Sequence, residues 1–189
     1  MSKIKRQIKN YYNHNYSHNT SFDEIKDGWY EACADDEIPT NALRDKESLV
    51  SLVLPDKLKK IGGATGGHNG AFAGCTNLSG SLVIPEGVEE IGPAAFAACT
   101  SLTGMLSLPS TLKILGTVNE YTSYWDGVFF ECNFVCELKL PEGLKVLGAG
   151  AFENCKNLYG ELRLPDGLEA IGSSAFAGCK NLSGSLSIP

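Results

Sequence analysis

The stretch SLVIPEGVEEIGPAAFAACTSLTG, Ser81 to Gly104, decides the fold because the chain repeats it. It returns as ELKLPEGLKVLGAGAFENCKNLYG from Glu137 and as ELRLPDGLEAIGSSAFAGCKNLSG from Glu161. The step from Glu137 to Glu161 is 24 residues, and so is the step from Cys155 to Cys179. A fixed period of that size marks a stack of like units. Within the unit, Leu82 and Ile84 fall on one face of a short strand and Val83 on the other. Pro85 has no N–H for a ladder and stops the strand, and Ile84-Pro85-Glu86-Gly87 fits a type I turn. Val88, Ile91, Ala95, Phe96, Cys99 and Leu102 then point back to one interior. Gly92, like Gly62, Gly116, Gly148 and Gly172, stands at a corner that needs positive φ or close backbone approach.

One such coil cannot fold alone. Six apolar side chains contribute about 10–15 kcal/mol when fully buried, whereas ordering each of some two dozen residues costs about 1–2 kcal/mol. Stacking covers both flat faces and adds a ladder of hydrogen bonds.

The shared pattern is L-x-(I/L)-P-x-G-(V/L)-x-x-(I/L)-G-x-x-A-F-x-x-C-x-x-L. It resembles the irregular leucine-rich repeat of the BspA-like family, and with partial copies it covers about three quarters of the chain. The resemblance implies an α/β repeat protein: a right-handed leucine-rich-repeat solenoid with short parallel strands and a stacked Cys/Phe/Leu core. It also implies a bacterial, secreted or cell-surface protein engaged in adhesion to host or matrix proteins.

Along the chain, residues 1–20 read as a mobile basic arm. Lys3, Lys5, Arg6 and Lys9 are followed by no apolar core, so the arm is not a secretory signal and the compartment stays open. His14 and His18 are four apart, but their Asn-rich setting disfavours a metal-binding helix. Ser21-Phe22-Asp23-Glu24 is a capping box. Phe22, Ile25, Trp29 and Cys33 follow near helical spacing, so residues 21–37 are expected to form a helical N-terminal cap with a helix from about Phe22 to Ala34. Asp35, Asp36 and Glu37 lack the spacing of a calcium loop and read as a solvated turn.

The solenoid is expected over 38–189. A partial first copy spans 38–50, and full copies span 51–80, 81–104, 105–136, 137–160 and 161–184. A truncated copy, 185–189, follows. Leu186 and Ile188 belong to a strand that no later rung covers, so the repeats are expected to continue or this end to pair with another chain.

The net charge of -6 argues against nucleic acid as the main partner. No apolar run reaches the ~18–20 residues that span a bilayer. Cys75, Cys99, Cys132, Cys155 and Cys179 share one repeat position, where parallel Cβ vectors allow neither disulfides nor a tetrahedral zinc site. They read as a ladder of buried thiols. Cys136 stands at a rung boundary where other copies carry Gly, and reads as a packing substitution. The glycine run from Gly62 to Gly70 lacks the Gly-Lys-Ser/Thr ending of a phosphate loop. With three histidines and no triad, the sequence offers no catalytic residues, no metal site and no cofactor site.

Two insertions depart from the repeat at the same corner. Ile91 and Phe96 are five residues apart, Ile61 and Phe72 eleven, and Leu115 and Phe129 fourteen. Loops on one edge of a solenoid often make its binding site. Candidate partner-binding residues are therefore His68 and Asn69 in the first insertion and Tyr121, Tyr124 and Trp125 in the second. On the outward strand face, Lys139 and Arg163 are expected to stack on one another, as are Glu137 and Glu161. The resulting expectation is a non-catalytic protein-interaction module that uses the edge loops or that strand face. The alternatives are a glycan-binding surface on the aromatic insertion and a structural spacer in a longer repeat protein.

Overall fold

The computed structural model of the chain describes residues 29–31, 36–67, 69–118 and 124–184. The I-G position of successive copies builds a six-stranded parallel sheet. In spatial order its strands are Glu37–Ile38, Lys60–Ile61, Glu90–Ile91, Ile114–Leu115, Val146–Leu147 and Ala170–Ile171. Register sets Ile38 opposite Ile61, followed by Ile91, Leu115, Leu147 and Ile171. The first five are buried; Ile171, on the last described rung, is 37% exposed. The glycine after each strand lets the coils close. A Cβ added to Gly92 would lie 2.5 Å from the nitrogen of Gly63, and one on Gly62 2.5 Å from that of Thr40.

A second line of pairing runs along the outward strands, at or beside the L-x-I segments. Trp29–Glu31 pairs with Ser51–Val53, Leu82–Val83 with Leu106–Ser107, and Tyr159–Glu161 with Asn181–Ser183, all parallel. Leu82 and Ile84 are buried and Val83 is exposed, as period-2 alternation requires. A third line runs through the A-F corner. The amides of Phe72, Phe96, Phe129 and Phe152 donate to the carbonyls of Ala95, Val128, Ala151 and Ala175 at 2.8–2.9 Å.

Inside, the aromatic rings of Phe72, Phe96, Phe129, Phe152 and Phe176 stack face to face with centroids 5.0–5.8 Å apart. Beside them runs the cysteine row. Each Sγ donates to the Phe or Leu carbonyl one coil back: Cys75 to Leu43, Cys99 to Phe72, Cys132 to Phe96, Cys155 to Phe129 and Cys179 to Phe152, at 3.0–3.2 Å. All five thiols are free. The molecule is a parallel-strand β-solenoid with a leucine-rich-repeat core.

Two expectations need correction. Among the described residues there is no α-helix, only one 3-10 turn at Tyr124–Asp126, so the chain is a β-solenoid rather than an α/β one. The helical N-terminal cap is not supported either: Trp29–Glu31, inside the expected helix, is a strand in register with Ser51–Val53. A short isolated helix is marginal without packing, whereas the open edge of Ser51–Val53 offers free backbone donors and acceptors. The rest of the capping-box segment, residues 21–28 and 32–35, lies outside the described residues.

Candidate interaction surface

The first insertion is a small antiparallel hairpin, Gly63–Ala64 against Asn69–Gly70. Its glycines are there for space: a Cβ on Gly63 would meet the carbonyl of Pro93, and one on Gly70 that of Ala94. At the tip, Gly66 and Gly67 both have positive φ, 99° and 87°. Their amides converge on the carboxylate of Asp126, Gly66 at 3.0 and 3.3 Å from the two oxygens and Gly67 at 2.9 Å from Oδ1. Successive amides turned to one side form an anion-binding concavity, and here the anion is a side chain of the second insertion.

Asp126 is 2% exposed, and its carbonyl also accepts the amide of Ala94 at 2.8 Å. It thus ties both insertions to the copy lying between them. Asn69 braces the hairpin: its Nδ2 donates to the carbonyls of Thr65 and Gly66, while its Oδ1 accepts from Arg44 at 3.0 Å. Trp125, in the 3-10 turn that Tyr124 opens, sets its ring edge-on against Phe130 with centroids 5.1 Å apart. Phe130 closes a small apolar cluster with Ala73, Ala94 and Ala97. Trp125 remains 44% exposed, so it covers that cluster and still presents indole to solvent. His68 and Tyr121 lie outside the described residues.

Lys139 and Arg163 sit elsewhere, on the outward strand face. Each pairs within its own rung, Lys139 with Glu137 at 3.1 Å and Arg163 with Glu161 at 2.6 Å. The expected stacking does not form, because Glu137 lies opposite Tyr159 rather than Glu161. The structure therefore separates the proposed residues into a corner group, Asn69 with Trp125, and a strand group, Lys139 with Arg163. Sequence reading missed Asp126. The signal was there in two parts: a Gly-Gly pair suited to binding an anion, and an acid ending the other insertion.

Residues 36–183 match the BspA type leucine rich repeat region in six copies. The chain belongs to the BspA-type leucine-rich-repeat family. Among solved structures, this BspA-type chain is similar to a leucine-rich repeat protein from Bacteroides ovatus ATCC 8483. The two are 30% identical with a TM-score of 0.60, over 77% of this chain and 33% of that one. It is similar to the T. pallidum leucine rich repeat protein at 34% identity and a TM-score of 0.58, over 77% of this chain and 60% of that one. A leucine rich cell surface protein from Faecalibacterium prausnitzii A2-165 shares the fold at 22% identity and a TM-score of 0.50. The chain thus spans less than two thirds of the first two solved relatives. No curated protein matches it.

The chemistry of the BspA-type core is inert. Burial pushes the Cys75 thiol up to about 12 and that of Cys179 to about 11, and raises Cys99, Cys132 and Cys155 well above the ordinary value. A thiol that keeps its proton is no nucleophile and no metal ligand. Among the described residues, no three or more His, Cys, Asp or Glu side chains are grouped to hold a metal ion, and no helix is long and apolar enough to cross a membrane.

Proposed function

We propose that this chain is a non-catalytic protein-interaction module that takes its partner at the corner formed by the two insertions. The observation that carries this reading is the bond from Asp126 to the amides of Gly66 and Gly67, which joins two separate loops into one surface. A spacer has no use for such a latch. Beside it stands Trp125, the type of residue that anchors protein interfaces. Tyr121, Tyr124 and His68 belong to the same two segments and are proposed as further contacts. Leucine-rich-repeat chains generally mediate protein interaction, and adhesion to a host or matrix protein is the proposed biological use. A glycan is the second reading, favoured by the exposed indole face.

Capture of purified extracellular-matrix proteins, run beside a glycan array, tests both. Matrix-protein binding weakened tenfold or more by Trp125→Ala, about 1.4 kcal/mol, supports the module. Glycan binding with the same sensitivity moves the assignment to the second reading. Indifference of every ligand to Trp125→Ala removes the corner as the site.

A further inference from the structure

The outward strand ladder is open at the junction of the copies from Met105 and Glu137, as it also is between those from Ser51 and Ser81. Between the copies from Ser81 and Met105 it is closed: the Leu82 amide donates to Met105 at 2.8 Å and the Ile84 amide to Ser107 at 3.0 Å. One copy later the equivalent amides belong to Leu106 and Leu108. That of Leu106 reaches only the Sγ of Cys136, a weak acceptor, at 3.4 Å. Among the described residues, the Leu108 amide and the Leu106 carbonyl have no hydrogen-bond partner.

The junction also differs in sequence. Cys136 stands where the other copies have Gly80, Gly104, Gly160 and Gly184. At the closed junction a Cβ on Gly104 would lie 2.6 Å from the nitrogen of Ser81 and 2.7 Å from the carbonyl carbon of Gly80. Cys136 brings a side chain to that place, with its Sγ 3.4 Å from the Leu106 nitrogen. The Cys132-Asn133-Phe134 segment differs too, being one residue shorter than the usual C-x-x-L spacing. A groove of about 600 Å³ opens between Leu106–Leu108 and Glu137–Lys139. Met105, Val135 and Tyr159, each half or more exposed, present apolar surface in it.

We propose that this groove is a docking site for an extended, uncharged segment of a partner protein, which adds as a strand to the Leu106–Leu108 edge. The proposal rests on the reading of the chain as an interaction module and adds a second contact on the strand face. Two features select the occupant. A carbonyl and an amide two residues apart on one free edge match the backbone of an added strand. The groove's charges, Glu137 and Lys139, pair with each other at 3.1 Å, so charge complementarity calls for a neutral segment. Alternate apolar side chains of that segment meet Met105, Val135 and Tyr159.

The test uses the full chain and an acetylated, amidated Thr-Val-Thr-Val-Thr-Val-Thr peptide, beside the same peptide with its central Val replaced by Pro. Binding at least tenfold tighter for the first, with slowed hydrogen exchange at the Leu108 amide, is expected. Cys136→Gly should close the ladder, protect that amide without peptide and weaken binding tenfold or more. The two-peptide comparison needs no variant, so it stands even if Cys136→Gly misfolds. Equal binding of both peptides, no binding, or an unprotected Leu108 amide in the complex overturns the proposal. If the peptide fails while Trp125→Ala still weakens matrix-protein capture, the groove is refuted and the module reading stands.

Discussion

The carboxylate of Asp126 accepts the amide of Gly66 across 60 residues of sequence. With the bond from Gly67, this makes a nearly solvent-free anion site whose occupant is built in. Hydrogen bonds to a charged acceptor contribute about 1.5–3 kcal/mol each, and a buried donor left unpaired costs about as much. Asp126→Asn keeps the shape and removes the charge. It should lower stability by about 1–3 kcal/mol and speed amide exchange at Gly66 and Gly67 more than at Phe96. Unchanged exchange at both glycines would show that the latch carries no load.

The cysteine row makes stability fall in alkaline solution. Cys75 titrates near 12 in the folded protein against an ordinary value of 9.0. Between these values the unfolded chain releases the proton while the folded chain keeps it, so unfolding gains as pH rises. The contribution is whole below about pH 9 and is lost on the way to pH 12. The urea midpoint should therefore drop from pH 7.5 to pH 10. The drop should be smaller in Cys75→Ala, which lacks the thiol; an equal drop in both proteins would contradict the assignment.

The interior position is also sensitive to volume. Cys99 is fully buried beside the Phe72 carbonyl to which it donates. Cys99→Ala should cost about 1–2 kcal/mol, as a small cavity does. Non-reducing unfolding should release free thiols at every position of the row, and a disulfide between neighbouring copies would refute the ladder.

Ala98 is held at φ 57°, a left-handed conformation in which Cβ crowds the carbonyl. The same position is Gly74 in one copy and Gly178 in another. Ala98→Gly relieves strain of roughly 1–2 kcal/mol and gives back part of it in unfolded-chain entropy. A net gain of about 0.5–1 kcal/mol is expected in denaturant unfolding. A loss would mean that the methyl group packs better than its partial burial suggests.

What was legible in the sequence follows from the period. Phe96, Phe129 and Phe152 stack, and Cys99, Cys132 and Cys155 align, because each repeats one environment that the neighbouring copy dictates. What was not legible depends on single copies. Trp29–Glu31 carries a helical spacing, yet the free edge of Ser51–Val53 outweighs that local preference. The Glu137–Tyr159 and Tyr159–Asn181 pairings are each offset by 22 residues rather than the 24 of the repeat, a slip that the sequence period does not announce. Asp126 is one acid among polar residues until the fold brings two glycine amides to it.

Trp125 separates covering from binding, since its indole does both. The edge contact with Phe130 is worth about 0.5–1.5 kcal/mol beyond burial, so Trp125→Ala should lower stability by roughly 1–2 kcal/mol while leaving the chain folded at 25 °C. Trp125→Phe keeps an aromatic ring over the cluster and should restore most of that loss. With Trp29→Phe as background, Trp125 is the only indole left, and its emission should shift to shorter wavelength when a matrix protein binds. Changing Tyr121 and Tyr124 together to Ala should weaken the same binding tenfold or more with little change in melting temperature. If Trp125→Phe restores stability and binding is also unaffected by all three changes, the insertion is a brace over Phe130, and the strand face beside Lys139 and Arg163 carries the partner.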